Sequence, residues 1–546
     1  MVCAKYHNKK ILCIKKSILF SLIYAISTAT IFIAMDILYA TYNHYFLFQF
    51  HTRELWKVAG IILLISFIKQ RKIRLSLLLT LLLFSFFQYI HFEYFGKNIS
   101  AIEFYLFATN INETFETLNN MLKLLFIPLM LLATGIITTY KIDTYIGEKT
   151  FKFKFALSFL LLGLLYLSLQ VFYLTNIKVG KLKQRQSKLI YPLTDRESAR
   201  NFYVSMNYFL VGILPKKLFG NTPNFPILKK PPLIDKESNR TIILIIGESL
   251  RYDRFALYDN KLTPKLQKLK KEIPLYHKKI YSGGTMTKVS TSVLINRLRY
   301  PQGLTQINNE ENCIFKLAKD NHKKTYFISA QQDKHLNMIT NMICPKYIDQ
   351  LITKNHFSDY IVPTGYDEDL LAMIKKLHLL NQGNLVVLQQ RGSHSPYPMQ
   401  YPKTFDKYEA YDNTALYTDT TLHDLISYVA KHATQETYLF YASDHGELLG
   451  ENGKRGHGHL ERNVYEVPFM MYTNHPDTNS TNLFHHIRNH FDISNYIISL
   501  LGYQVDLELN QDRELYIMNS DLEGFSGYAS LKIINNKEHR IEIHRN

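Results

Sequence analysis

Five apolar runs crowd the first third of this 546-residue chain, and that segregation limits what it can fold into more than any other feature. They are Ser17–Ala40, Leu55–Ile68, Leu75–Ile90, Met121–Tyr140 and Phe153–Thr175. Most are long enough, or nearly so, to cross a hydrocarbon core of about 30 Å. Leu55–Ile68 is the weak one: it is short and carries Lys57, as a buried core helix would. Charge placement favours five crossings. Lys5, Lys9, Lys10, Lys15 and Lys16 precede the first run, KQRKIR (69–74) divides the second from the third, and Lys141 to Lys154 divides the fourth from the fifth. Five crossings put all these clusters on the cytoplasmic side, whereas four would strand KQRKIR outside. Everything after Thr175 is then expected on the opposite side. A cleaved signal peptide is a poorer reading of the first run, which is long and followed by further apolar runs.

The net charge of +18 raises the question of nucleic acid, but no Arg-rich helix or nucleic-acid motif accompanies it. Basic residues beside anionic headgroups are the simpler account. Residues 176–235 run basic and amphipathic before the Pro-rich TPNFPILKKPP, which reads as an interfacial helix and a linker. The expected organisation is a five-helix membrane domain over 1–175, a bridge over 176–235, and a soluble domain over 236–546. Cys313 and Cys344 fall on the outer side, either as a disulfide in an oxidising compartment or as two free buried thiols.

From Thr241 onward the pattern changes. TIILIIG, KTYFISA, NLVVLQQ, ETYLFYAS and VPFMMY alternate with amphipathic stretches such as YDNTALYTDTTLHDLISYVAKH. Continuous β-branched and aromatic runs of this kind predict a mostly parallel sheet covered by helices on both faces. Ligands in such sheets bind beyond the carboxyl ends of the strands. Gly247-Glu248-Ser249, Gly392-Ser393-His394 and Ser443-Asp444-His445-Gly446-Glu447 each follow one of these runs, and Gly456-His457-Gly458-His459 lies in a glycine-rich loop shortly after. Carboxylate with imidazole suits zinc better than magnesium, which prefers oxygen alone.

GES (247–249), SGGT (282–285), GSHSP (392–396), YDNTALYTD (411–419), SDHGELLGENG (443–453) and GHG (456–458) together resemble, in the same order, the motifs of bacterial phosphoethanolamine transferases. These are the lipid A modifying and colistin-resistance type within the alkaline phosphatase/sulfatase superfamily. The resemblance covers nearly the whole chain. It implies an α/β alkaline-phosphatase-like domain facing the periplasm, anchored in a bacterial inner membrane. It further implies a zinc ion held by Glu248, Thr285, Asp444 and His445, with Thr285 as the nucleophile that accepts phosphoethanolamine from phosphatidylethanolamine. His394 and His457 match histidines that bind substrate phosphate or, with Glu447, a second zinc. Lys334 is the match for a phosphoryl-contacting lysine, and Thr109 and Glu113 for donor-headgroup residues. The implied acceptor is lipopolysaccharide, at a lipid A phosphate or a core sugar. A threonine hydroxyl needs such a metal, being a poor nucleophile at neutral pH.

The chain also departs from that pattern. SGGTMTKVSTSVLIN carries none of the cysteines that flank the nucleophile in the colistin-resistance branch, and Thr287 competes with Thr285. Two other readings stand beside the main one. One is a phosphoglycerol transferase of the lipoteichoic-acid-synthase type. The other is a non-catalytic lipid-binding envelope protein, against which the retained ligand residues argue.

Overall fold

In the described residues the five apolar runs fall largely on helices: α1 (Val2–Tyr42), α2 (Thr52–Ser66), α3 (Arg71–Phe95), α4 (Phe126–Tyr145) and α5 (Ala156–Asn176). The computed structural model describes residues 2–42, 52–95, 98–101, 104, 125–176, 196–215, 225–236, 238–258, 262–336, 339–476, 478–507, 512–524, 527–535 and 537–544. Thr109 and Glu113 lie outside the described residues.

Among the described residues, three helical stretches are long and apolar enough to cross a membrane: Cys13–Tyr42, Arg71–Glu93 and Phe126–Tyr145. By these helices the chain is membrane-bound. Of the five crossings expected, three have candidate helices among the described residues. At 1.5 Å per residue, the 15 residues of α2 reach about 22 Å, short of a hydrocarbon core. Within α5, the described side chains Ala156–Phe172 form a further apolar helix.

The chain divides into two compact units, Met1–Thr222 and Pro223–Asn546. The expected bridge is shared between them. Its helix Ser198–Tyr208 (α6) belongs to the first unit, where Phe202 stacks on Phe84 with ring centroids 4.5 Å apart. Glu197 caps it, accepting from the amides of Ala199 and Arg200 at 2.9 and 3.0 Å. The Pro-rich stretch belongs to the second unit, where Ile234 N donates to Gly502 O at 2.9 Å.

One residue of KQRKIR does more than set topology. Arg74 is fully buried, and its Nε donates to Asp143 Oδ1 at 2.6 Å while its Nη2 reaches Glu148 at 2.9 Å. Tyr24 adds a hydroxyl to the same Asp143 oxygen at 3.0 Å, joining α1, α3 and α4. Asp143→Ala would leave the buried Arg74 with only the exposed Glu148 as an acid partner, so it should cost about 3–5 kcal/mol. The expected result is a clear drop in the thermal midpoint of the detergent-solubilised chain; an unchanged midpoint would show that the pair does not hold these helices.

The second unit is built on a seven-stranded sheet. Its strands are β1 (Thr241–Gly247), β2 (Leu275–Tyr281), β3 (Thr325–Ser329), β4 (Gln350–Thr353), β5 (Leu385–Gln389), β6 (Thr437–Ser443) and β7 (Glu466–Thr473). Their spatial order is β2-β7-β6-β1-β5-β3-β4. Only β7 runs against the rest, pairing antiparallel with both β6 and β2. The central strands are buried along their whole length because apolar clusters cover both faces. Sequence patterning missed β2, whose LYHKKIY is an edge strand with polar centre, and β4, which is four residues long. It also missed a separate antiparallel sheet of β8 (Arg513–Met518), β9 (Tyr528–Ile534) and β10 (Lys537–His544). Cys313 and Cys344 are buried thiols not joined in a disulfide, and Cys344 Sγ donates to Asn296 Oδ1 at 3.2 Å.

Candidate metal centre and nucleophile

Strands β6, β1 and β5 are neighbours and parallel, with Gly247 opposite Ser443 and Ile246 opposite Gln389. Their carboxyl ends therefore deliver Asp444, Glu248 and the Gly392-Ser393-His394 turn side by side. Main-chain bonds stitch the ends together, Asp444 N to Gly247 O at 2.9 Å and Ser393 N to Glu248 O at 2.8 Å. Gly392 has φ +51°, and a Cβ there would lie 2.6 Å from Glu248 O, so only glycine lets the turn close on the acid. Ser249 takes the left-handed conformation at φ 57°, which costs energy in a non-glycine residue. That conformation aims its amide at Asp444 Oδ1, 2.8 Å away, and its hydroxyl at Glu248 Oε1, also 2.8 Å away.

Glu248, Asp444 and His445 form a buried group whose ligand atoms lie within 4.8 Å of one another. His445 Nδ1 faces Gly446 O at 2.8 Å, which leaves Nε2 as the acceptor nitrogen turned toward the acids. That Nε2 is 3.4 Å from Asp444 Oδ2 and 3.9 Å from Glu248 Oε1. Burial raises both carboxyls, that of Asp444 to about 7, and burial lowers His445. Glu248 is raised further by Asp444 beside it. Asp444 Oδ2 has no hydrogen-bond partner. Two buried acids, an imidazole lone pair and an unsatisfied oxygen are the donor set of a cation, and they fit zinc.

The threonines part company. Thr285 is fully buried, and its Oγ1 donates to Asn519 Oδ1 at 2.9 Å. Thr287 opens helix α7 (Thr287–Asn296) and places its Oγ1 3.2 Å from Glu248 Oε1 and 3.3 Å from His445 Nε2. The hydroxyl beside Glu248 and His445 is thus that of Thr287, whereas that of Thr285, the residue favoured from the sequence, is bonded to Asn519.

A second group adjoins the first. His457 stacks near His445 with ring centroids 4.6 Å apart, and its Nδ1 lies 3.9 Å from Glu447 Oε1. Burial pushes Glu447 up to about 7 and His457 well below its usual range. Glu447 Oε2 and His457 Nδ1 lack hydrogen-bond partners, so these two fit a second cation or a phosphoryl group. His394 stands at the rim, 6.4 Å from His457 between ring centroids. Lys334 lies in the short helix Asp333–Leu336, but its side chain is outside the described part.

Sequence reasoning missed Gln331, whose Nε2 donates to Glu248 Oε2 at 2.9 Å and orients that carboxylate. Its signal was available, since it follows the carboxyl end of β3. His490, behind the site, was also missed. Its Nε2 faces Ser443 O at 3.1 Å, and burial depresses its pKa to about 3. A depressed imidazole stabilises the fold above the unfolded pKa of about 6.5, and that contribution is lost as pH falls toward 3. His490→Gln keeps a donor there and does not titrate. Going from pH 7 to pH 5, the wild type should lose about 2 kcal/mol more stability than the variant. Thermal midpoints at the two pH values measure this, and equal losses would mean that His490 is not held neutral.

Residues 240–503 match the sulfatase family and form a sulfatase-family domain, carried by a chain that also has long apolar helices. Among curated proteins, the chain is 30% identical over 304 residues to phosphoethanolamine transferase EptA of Helicobacter pylori, covering 50% of this chain and 54% of that one. It is 23% identical over 428 residues to phosphoethanolamine transferase EptC of Escherichia coli, covering 70% and 71%. Matches span about half the length of the EptA relatives, 54% in Helicobacter pylori and 47% in Escherichia coli. The solved periplasmic domain of Escherichia coli EptC aligns with TM-score 0.43 and 21% identity over 53% of this chain and 94% of that one.

Proposed function

We propose that this chain is a zinc-dependent phosphoethanolamine transferase that uses Thr287 as its nucleophile. The observation that carries the reading is the Thr287 hydroxyl, 3.2 Å from Glu248 within a buried group built to hold a cation. The relatives' names support the transferred group. Phosphatidylethanolamine is the proposed donor. Lipopolysaccharide is the proposed acceptor, a choice supported by similarity to a Kdo(2)-lipid A phosphoethanolamine 7''-transferase of Salmonella typhimurium. The proposed setting is a bacterial inner membrane with the sulfatase-family domain in the periplasm.

Glu248, Asp444, His445 and Thr287 would hold the zinc, and the ion supplies Lewis acidity that lowers the pKa of the threonine hydroxyl and neutralises phosphoryl charge. With its hydroxyl proton lost to solvent, Thr287 Oγ attacks phosphorus, the bond to the diacylglycerol oxygen breaks, and phosphoethanolamine remains on the threonine. The departing oxygen needs a proton, for which His394 at the rim is the proposed donor; His457, which burial holds neutral, is left to contact the phosphoryl group. In the second half an acceptor oxygen attacks the same phosphorus and Thr287 is released. Gln331 keeps Glu248 facing the nucleophile throughout.

The test is product identification with fluorescent phosphatidylethanolamine and purified lipopolysaccharide. The expected products are fluorescent diacylglycerol and lipopolysaccharide heavier by one phosphoethanolamine. Turnover of a phosphatidylglycerol donor with glycerol phosphate transfer would replace this reading by the phosphoglycerol one, and no turnover of either donor would sink both.

A further inference from the structure

The sheet β8–β10 lies beyond the residues matched by the sulfatase family, yet it reaches the segment that carries Thr287. Met518, at the end of β8, donates its amide to Gly283 O at 3.0 Å and accepts from Thr285 N at 3.1 Å, with Gly284 as its bridge partner. Asn519, next in the chain, accepts the Thr285 hydroxyl. The Thr285 carbonyl accepts from Gly458 N at 2.8 Å, the residue after His457. Every polar group of Thr285 is thereby engaged, two of them by the β8 end and one by the His457 loop.

The segment has little slack. A Cβ on Gly283 or Gly284 would lie 2.5 Å from Val293 or 2.4 Å from Val289, so the two glycines let this segment press onto helix α7. No cysteine stands between Ser282 and Asn296 to brace it covalently. Two residues after Thr285, the Thr287 hydroxyl stands 3.2 Å from Glu248 Oε1 and 3.3 Å from His445 Nε2.

We infer that Asn519 and Thr285 are a positioning pair through which the C-terminal sheet sets the Thr287 hydroxyl against Glu248 and His445. The pair does not touch the reacting atoms. It acts by restricting where Thr287 stands, and a misplacement of about 1 Å can cost about 10²-fold in rate. This inference rests on the reading of Thr287 as the nucleophile.

The experiment uses the full chain in detergent, with fluorescent phosphatidylethanolamine and lipopolysaccharide. Thr285→Val keeps the shape and removes the donor, Asn519→Ala removes the acceptor, and Thr285→Ser keeps the hydrogen bond. Thr285→Val and Asn519→Ala should each lower kcat by about 10- to 100-fold with donor KM nearly unchanged. Thr285→Ser should restore most of kcat, and the double variant should be little worse than the worse single one, as expected for two members of one contact. Wild-type kcat in both Thr285→Val and Asn519→Ala overturns the pair. So does a Thr285→Ser variant as poor as Thr285→Val, or a kcat loss in all variants that merely follows a falling thermal midpoint. Thr287→Ala separates the two ideas. If it is active, the reading of the nucleophile fails; if it is dead while the pair variants are normal, only the positioning inference fails.

Discussion

Thr287→Ala in the full chain should lower release of diacylglycerol from phosphatidylethanolamine by about 10³-fold or more, the scale seen when a covalent nucleophile is removed. The expectation follows from position. Of the two threonines that follow Gly284, only Thr287 has its hydroxyl beside Glu248 and His445. Thr287→Ser should keep measurable turnover, since the oxygen stays at the helix start. Mass spectrometry of the protein mixed with donor alone should find phosphoethanolamine on the peptide carrying residue 287. The same adduct on Thr285 would return the role to that residue, which would have to leave Asn519 to act.

The second large effect is metal removal. Chelation should abolish turnover, zinc should restore it, and magnesium should not, because His445 contributes nitrogen. The pH dependence has a definite sign. Burial lifts the Asp444 carboxyl to about 7 in the metal-free site, so binding a cation below that pH must displace a proton. Zinc affinity should therefore fall as pH drops from 8 to 6, by up to about tenfold per pH unit for each proton displaced. Zinc per chain by elemental analysis after equilibration with a competing chelator measures this. Asp444→Asn should retain little zinc at either pH. An affinity independent of pH over that range would show that Asp444 is not a ligand.

Much of the site was legible because its residues follow continuous apolar runs. TIILIIG, NLVVLQQ and ETYLFYAS must be buried strands, and parallel strands put their carboxyl ends together, so Glu248, His394 and Asp444-His445 could be brought to one edge before any contact was seen. The choice between Thr285 and Thr287 was not legible in the same way. It depends on which hydroxyl is claimed by Asn519, over two hundred positions away, and a contact at that separation leaves no local trace in SGGTMTK. The same holds for Gln331 and Glu248, joined only when β3 and β1 flank β5.

The local chemistry of this chain was determined by the sequence alone: apolar helices at the start, alternating strands and helices after Thr241, and acids and imidazoles at the strand ends. Periodicity and side-chain chemistry are properties of neighbours along the chain and can be read there. The tertiary structure alone decided that β7 runs backwards and that the Thr287 hydroxyl stands beside Glu248 and His445. It also decided that the end of β8 bridges to Gly284. These are outcomes of long-range packing, where the free energy of burying one group depends on which distant partner is there to satisfy it.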